Sequence, residues 1–425
     1  MRLSDLLESE WKPALGCTEP AAVAWAAALA AAQSTGTIQR VHLVCDPRTY
    51  KNCYAVGLPN AGKATGLLWA LALGACLTDD GLGLRSFEAV GTGTLEAARA
   101  LLERRALSVE VDATRDALRI EVTVVRSEGQ GRAVLDREHT HLASLERNGQ
   151  RVGGLDEGAA AKPPASLRER LAGLRIQDLL DLARSATPED RVRLQEGITL
   201  NLAIARHGLS LLPPGFVAPT GLDTQTRLAR LVSAGVHARM SGASLTVMTL
   251  AGSGNKGITV TVPVALWGRE VGHPEARVEE ALAFGALMTS AATWHLGTLS
   301  AICGAANAAG IGIASALVFL EGGTAHQVGL AVSNIVGNVA GMICDGAKIG
   351  CALKTMTGVD AAFRSAHMAL SGIGIPATDG IVGRDGETSL ANLGRLAQEG
   401  MAQVDASILA IMQAKLEAQD QPSGY

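Results

Sequence analysis

Residues Gly153 to Pro164 read GGLDEGAAAKPP, and this stretch divides the chain into two halves of different character. Its Gly, Ala and Pro content is that of a linker. Upstream, short runs alternate with period two; downstream, nearly everything has helical period. Before the linker, Leu3 to Trp11 reads as an amphipathic helix, Lys12-Pro13 as a turn, and Pro20 to Ala32 as an Ala-rich helix. Thr18 suits the N-cap of that helix and Pro20 its first turn. Val41 to Cys45 and Tyr54 to Gly57 alternate like strands around a polar loop, Tyr50 to Cys53. Gly62 to Cys76 and Glu96 to Arg105 are helical. Ser108 to Asp112, Leu118 to Val125 and Arg132 to Asp136 are strands, with turns at Arg115-Asp116 and Glu128-Gly129.

After the linker, helices are expected at 167–174, 176–185, 187–207, 225–240, 258–267, 275–298, 302–320, 326–343, 359–371 and 401–417, with a Pro/Gly loop from Leu211 to Gly221. The fold class is therefore α+β. An N-terminal α+β domain with a mostly antiparallel sheet (1–155) is expected to pack on a larger all-α bundle (165–425).

Composition narrows the function. Aromatic residues make up only 3% of a chain that is 48% hydrophobic and holds 49 Gly, which favours helices packed closely through small residues. The net charge of −4 and the lack of a Lys/Arg tract speak against nucleic acid and against a polybasic membrane patch. Met1 to Pro20 lacks the order of a signal peptide. No run reaches the roughly 20 apolar residues of a membrane span; Pro20 to Ala32 and Val328 to Cys344 read as buried core helices of a cytoplasmic protein. Seven cysteines, an odd number, argue against a disulfide framework. No CxxC pair, GxGxxG after a strand, or GxxxxGK[ST] occurs, so neither a zinc ribbon nor a nucleotide cofactor is indicated.

Four stretches carry chemistry. Gly341 to Lys354, GMICDGAKIGCALK, sets Cys344 and Cys351 beside Asp345, Lys348 and Lys354, after a segment from Ala301 to Ile343 whose only formal charge is Glu321. Lys and Asp are seldom buried unpaired, so these groups are either solvated or serve a ligand. Cys17, in Leu15 to Pro20 (LGCTEP), sits at a helix N-terminus, where unpaired N–H groups favour a thiolate. Ala251 to Gly257, AGSGNKG, can form an anion-binding concavity. Leu299 to Gly304, LSAICG, puts Cys303 at a glycine step into an uncharged helix. Each cysteine could equally be an inert core thiol. His139 and His141 would share one side of a strand, but no third metal ligand lies nearby.

Taken together these stretches resemble the iron–sulfur L-cysteine desulfidase family, related to the bacterial iron–sulfur L-serine dehydratases. LGCTEP, Tyr50 to Asn52 (YKN), His139-Thr140, Ala238 to Gly242 (ARMSG), AGSGNKG, LSAICG, the Gly341 to Lys354 motif, Asp379 to Val382 and Asn392 to Gly394 match in order along the whole chain. The resemblance implies a 4Fe–4S cluster held by Cys17, Cys303 and Cys344, with one iron free of protein ligands and Cys351 a neighbour. It implies a PLP-independent carbon–sulfur lyase that turns L-cysteine into sulfide, ammonia and pyruvate. Lys348, Lys354 and His139 are candidates for the base, the lysines because desolvation beside a cationic site can depress a Lys pKa. Thr18, Glu19, Asn52, Thr140, Ser253 and Asn255 are expected at the substrate. The partner is a small amino acid, and a homodimer is allowed. A serine- or threonine-type dehydratase and a non-catalytic iron–sulfur or small-acid binding protein are the alternatives. The chain departs from the family pattern at His237 (usually Asp), Lys256 (usually Gln) and His295 (usually a nearby Lys); these added groups bear on which acid is the substrate.

Overall fold

The computed structural model describes residues 1–77, 80–115, 117–154, 165–214, 216, 223–297 and 300–420. Most of the linker (155–164), most of the Leu211 to Gly221 loop and Leu299 lie outside the described residues.

Among these residues the N-terminal half builds a six-stranded sheet in the order Leu107–Val111, Ile38–Cys45, Arg119–Arg126, Gly129–Asp136, Leu142–Arg147, Gln150–Gly153. Only the first pair is parallel. Ile120, Val122 and Val124 point inward from the third strand, the period-two burial expected of a sheet with one wet face. The Thr18–Ala31 helix covers that inner face. It is almost all alanine, which lets the Leu67–Ala75 helix come close: a Cβ at Gly74 would lie 2.2 Å from the Ala24 carbonyl oxygen.

The last two strands were not expected from the sequence. Asn148 and Gly149, both at positive φ, turn one into the other as a tight hairpin. Three further expectations are corrected. Tyr50 to Cys53 is not a loop but part of the Pro47–Cys53 helix, capped by the Asp46 carboxylate, which accepts from the Arg48 and Thr49 amides at 3.0 and 2.9 Å. Tyr54 to Gly57 is not a strand; Val56 is instead buried in the core of the helical half. The N-cap of the Ala-rich helix is Cys17, one residue before Thr18.

The C-terminal half is helical. Glu275–Leu296 and Asn307–Leu320 lie buried at its centre, crossing where Gly312 meets Gly285 and Thr289. The Cys351–Leu370 helix starts eight residues earlier than expected, and Gly386–Arg395 adds a helix capped by Asp385. Leu3, Leu6, Leu7 and Trp11 of the first helix belong to this core. Among the described residues no helix is long and apolar enough to cross a membrane.

Three contacts fasten the halves together and set the position of the site. Pro13–Leu15 pairs antiparallel with Thr246–Met248. The Gly57 amide donates to the Met240 carbonyl at 2.9 Å, so closely that a Cβ on Gly57 would lie 2.4 Å from the Ser241 backbone. Arg239, 2% exposed, donates to the Gly16 carbonyl at 2.8 Å and to Asn255 Oδ1 at 2.8 Å. One guanidinium thereby ties ARMSG to LGCTEP and AGSGNKG.

Candidate active site

Where the halves meet lies a cavity of about 780 Å³, counting its open mouth. Cys17, Cys303, Cys344 and Cys351 all line it, from three parts of the chain far apart in sequence. Cys17 comes from the start of the Ala-rich helix. Cys303 and Cys344 are held side by side by a short antiparallel bridge: the Cys303 amide donates to the Met342 carbonyl at 2.8 Å, and the Cys344 amide to the Ala301 carbonyl at 2.7 Å. Cys351 arrives because the chain is not helical between Val339, where one helix ends, and Cys351, where the next begins. Gly346, at φ +98, packs so tightly on the Lys51 carbonyl that a Cβ would lie 2.3 Å away. A continuous helix would have separated the two thiols by about 10.5 Å. The break brings Cys351 Sγ within 3.6 Å of the Gly346 carbonyl, to which it donates.

Three of the four thiols, those of Cys17, Cys303 and Cys351, have raised pKa values and are protonated. Burial and the neighbouring Glu19 push the Cys17 thiol well up, and its Sγ donates to Glu19 Oε2 at 3.0 Å. The helix N-terminus expected to favour a thiolate is outweighed by burial and the Glu19 carboxylate. Burial and the facing cysteines push Cys303 up to about 12, and burial takes Cys351 to about 11. A metal must therefore displace protons to bind here, as thiolate ligation always requires. Among the described residues no three His, Cys, Asp or Glu side chains stand close enough to share one ion. Thiols on a single tetrahedral ion would sit roughly 3.8 Å apart, given bonds near 2.3 Å. A donor set of thiols ringing a roomy cavity from separate elements suits a multi-iron cluster, whose preferred ligand is Cys. The residues present fit such a group.

Beside the thiols stands a polar cluster. Glu19, 8% exposed, accepts from Cys17, from Thr18 Oγ1 at 2.9 Å and from Asn52 Nδ2 at 2.9 Å. Burial alone would raise its pKa, but the nearby His139 and these hydrogen bonds outweigh burial and keep it lowered, as a carboxylate. His139 Nε2 lies 4.0 Å from Glu19 Oε1. Burial lowers the His139 pKa, with Glu19 opposing. Among the described residues neither His139 Nε2 nor Asn52 Oδ1 has a hydrogen-bond partner, although both are buried. Ser253 caps the Gly254–Glu270 helix, and that helix start brings Asn255 and Lys256 to the wall.

The remaining expected residues fall elsewhere. His139-Thr140-His141 is a turn, not a strand, so its two histidines diverge: His141 Nδ1 bonds Asp136 Oδ1 at 2.6 Å, away from His139. Thr140 and Thr18 line a neighbouring cavity of about 460 Å³ that shares His139 and Gly252 with the main one. Lys348 and Lys354 do not line the main cavity. Burial lowers the Lys348 pKa. For Lys354 burial is overcome by its ion pair with Asp345, and the pKa is raised rather than depressed. His237 is also absent from the wall.

Sequence reasoning missed Asp405 altogether. In the first turn of the last helix, it pairs with both Lys51 and Arg48, two cations on the cavity wall, while Lys51 Nζ also donates to the Cys344 carbonyl at 2.8 Å. Lys256, known from the sequence only as a departure, proves fully enclosed.

The chain is similar to known proteins. Residues 136–410 match the family model described as serine dehydratase alpha chain. Over its whole length the chain is similar to UPF0597 proteins. That of Geobacter sulfurreducens is 36% identical over 97% of this chain and 98% of its own length. Those of Nitratidesulfovibrio vulgaris, at 36%, and Oleidesulfovibrio alaskensis, at 38%, each cover 97% of this chain, and 99% and 98% of their own lengths.

Proposed function

From the premise that the chain belongs to the serine dehydratase alpha chain family, we propose that it is an iron–sulfur lyase that eliminates the β-substituent of a small α-amino acid, with L-cysteine as substrate. Cys17, Cys303 and Cys344 would hold a 4Fe–4S cluster, with Cys351 beside it. Such a cluster, when bound, supplies a Lewis acid. The observation that carries the reading is the convergence of these thiols with Glu19, Asn52 and His139 on one cavity.

The chain's own groups divide the remaining work. Glu19, kept ionised by its neighbours, offers a carboxylate to the substrate ammonium. Asn52 Oδ1 and the Ser253–Asn255 helix start offer polar contacts for the amino and carboxylate groups. His139 Nε2 is the base we favour over Lys348 and Lys354, because His139 lines the cavity while they do not, its Nε2 carries no hydrogen bond among the described residues, and burial lowers its pKa. It takes the proton from the substrate α-carbon. The electron pair left behind forms the Cα–Cβ double bond as the Cβ–S bond breaks and sulfide leaves. The aminoacrylate released tautomerises and hydrolyses to pyruvate and ammonia.

Anaerobic reconstitution with iron and sulfide, followed by washing and an assay for sulfide and pyruvate, tests the reading. L-Cysteine should give the two products in equal amounts. Pyruvate from L-serine at a higher kcat/KM would make the protein a dehydratase, and no pyruvate from either acid by the loaded protein would refute a lyase.

A further inference from the structure

The cavity wall carries unequal charge. Its lining residues include four cations, Arg48, Lys51, Arg239 and Lys256, and one carboxylate, Glu19. Arg48 and Lys51 share Asp405, which sits behind them. Among the described residues, neither Arg239 nor Lys256 has a carboxylate within ion-pair distance, although they are only 2% and 5% exposed. Arg239 is held by the neutral oxygens of Asn255 and Gly16. Lys256 Nζ donates to the Ala251 carbonyl at 3.0 Å and to Thr293 Oγ1 at 3.1 Å. An ammonium has three donors, so one remains.

Lys256 is positioned deliberately. Ala251 takes up φ +48, a conformation unfavourable for a residue with a Cβ, as part of the turn whose carbonyl meets the ammonium. Thr293 reaches it from the Glu275–Leu296 helix. Across the cavity Gly304, next to Cys303, leaves room for the side chain: a Cβ there would lie 3.0 Å from Lys256 Cε. Want of a counter-charge also shows in its acidity, since burial brings its pKa down to about 7. A buried cation without an anion is costly, and a ligand that supplies the anion removes that cost.

We propose that Lys256 is a specificity-determining residue: it meets an anionic group on the β-carbon of the substrate. The inference rests on the cavity being the amino-acid site. The charges then match one to one. Glu19 is assigned to the ammonium and Arg239 to the α-carboxylate, and Lys256 is left for a second negative group. In L-cysteine that group is the thiolate; in a dicarboxylic amino acid it is the β-carboxylate. L-Serine has none. Lys256 thus biases the site toward β-anions over β-hydroxyls.

The test uses non-eliminating probes on the anaerobically reconstituted full-length protein, with isothermal titration as the readout. L-Aspartate and L-asparagine have nearly the same shape and differ in β-charge. Aspartate should bind at least tenfold more tightly than asparagine. Lys256→Gln should abolish the difference, Lys256→Arg should keep most of it, and asparagine should bind alike to all three proteins. Near-infrared and visible spectra of the variants check that the cluster is retained. Equal binding of aspartate and asparagine by the unaltered protein, or a preference that survives Lys256→Gln, overturns the inference while leaving the lyase reading intact. No binding of any probe, together with no turnover of cysteine or serine, overturns both.

Discussion

The Asp405→Asn substitution perturbs the two ion pairs, with Lys51 and Arg48, that link the last helix to the cavity wall. The Lys51 side chain is 2% exposed and that of Asp405 11%, so the pair is buried. Without the carboxylate, Lys51 keeps only the Cys344 carbonyl, a neutral acceptor at 2.8 Å. Removing one partner of a buried pair costs about 3 to 5 kcal/mol, because the other charge is stranded. The Arg48 contact adds little: that side chain is 32% exposed, can turn to water, and resembles a surface pair at no more than about 1 kcal/mol. Asparagine still offers a carbonyl, so the lower end, about 3 kcal/mol, is expected. Lys51→Met in the same background removes the stranded charge and should restore about 2 kcal/mol. Equilibrium urea unfolding of the cluster-free proteins, compared at a common slope, measures both changes. A loss under about 0.5 kcal/mol for Asp405→Asn, the range of an ordinary surface change, would refute the buried-pair reasoning. Strict additivity of the two substitutions would refute the coupling between them.

Three more outcomes follow from the same coordinates. Gly74→Ala drives a methyl against the Ala24 carbonyl, where neither backbone can yield, and should destabilise by about 3 kcal/mol or prevent folding; a urea midpoint within error of the parent would show that the two helices separate freely. His139→Gln should lower kcat by about 100-fold or more while the iron–sulfur spectrum persists, as expected for loss of a base; unchanged kcat would return the role to Lys348 or Lys354. For Lys256, burial lowers the pKa from 10.5 to about 7, so between those values the unfolded chain holds a proton that the folded chain lacks. Its penalty is absent above about pH 10.5, grows by roughly 1.4 kcal/mol per unit as pH falls, and is full below pH 7. Lys256→Met in cluster-free protein should therefore be more stable than the parent at pH 6, with the gap closing toward pH 10. A gap independent of pH would contradict the burial.

Much of this site was legible in the sequence because its parts are local. LGCTEP, LSAICG and the Gly341 to Lys354 motif each place a cysteine beside glycines or a helix start, and those same features position the thiols in the fold. What escaped was non-local or outvoted. Asp405 lies 354 residues from Lys51 in a helix of ordinary period, and nothing near it marks a partner. Asp46-Pro47 is a sound helix start, but the alternation around it suggested strands. Asn148-Gly149 is the strongest short hairpin signal, and the polar strands flanking it hid the pairing. Cys351 illustrates the reverse: Gly346 and Gly350 made a non-helical path from Cys344 to Cys351 conceivable, and the helix in fact ends at Val339, with Gly346 at positive φ packed on the Lys51 carbonyl before the next helix begins at Cys351.

The central claim is that three particular cysteines, drawn from both sides of the cavity, hold a cluster with Cys351 alongside. The direct measurement is iron and acid-labile sulfide per chain, with the visible absorbance, after anaerobic reconstitution of the parent and of four variants. The parent should hold about four irons and four sulfides, as a 4Fe–4S centre requires. Cys17→Ser, Cys303→Ser and Cys344→Ser should each lose the cluster, and Cys351→Ala should keep it. A full cluster in Cys17→Ser, or its loss in Cys351→Ala, would contradict the account.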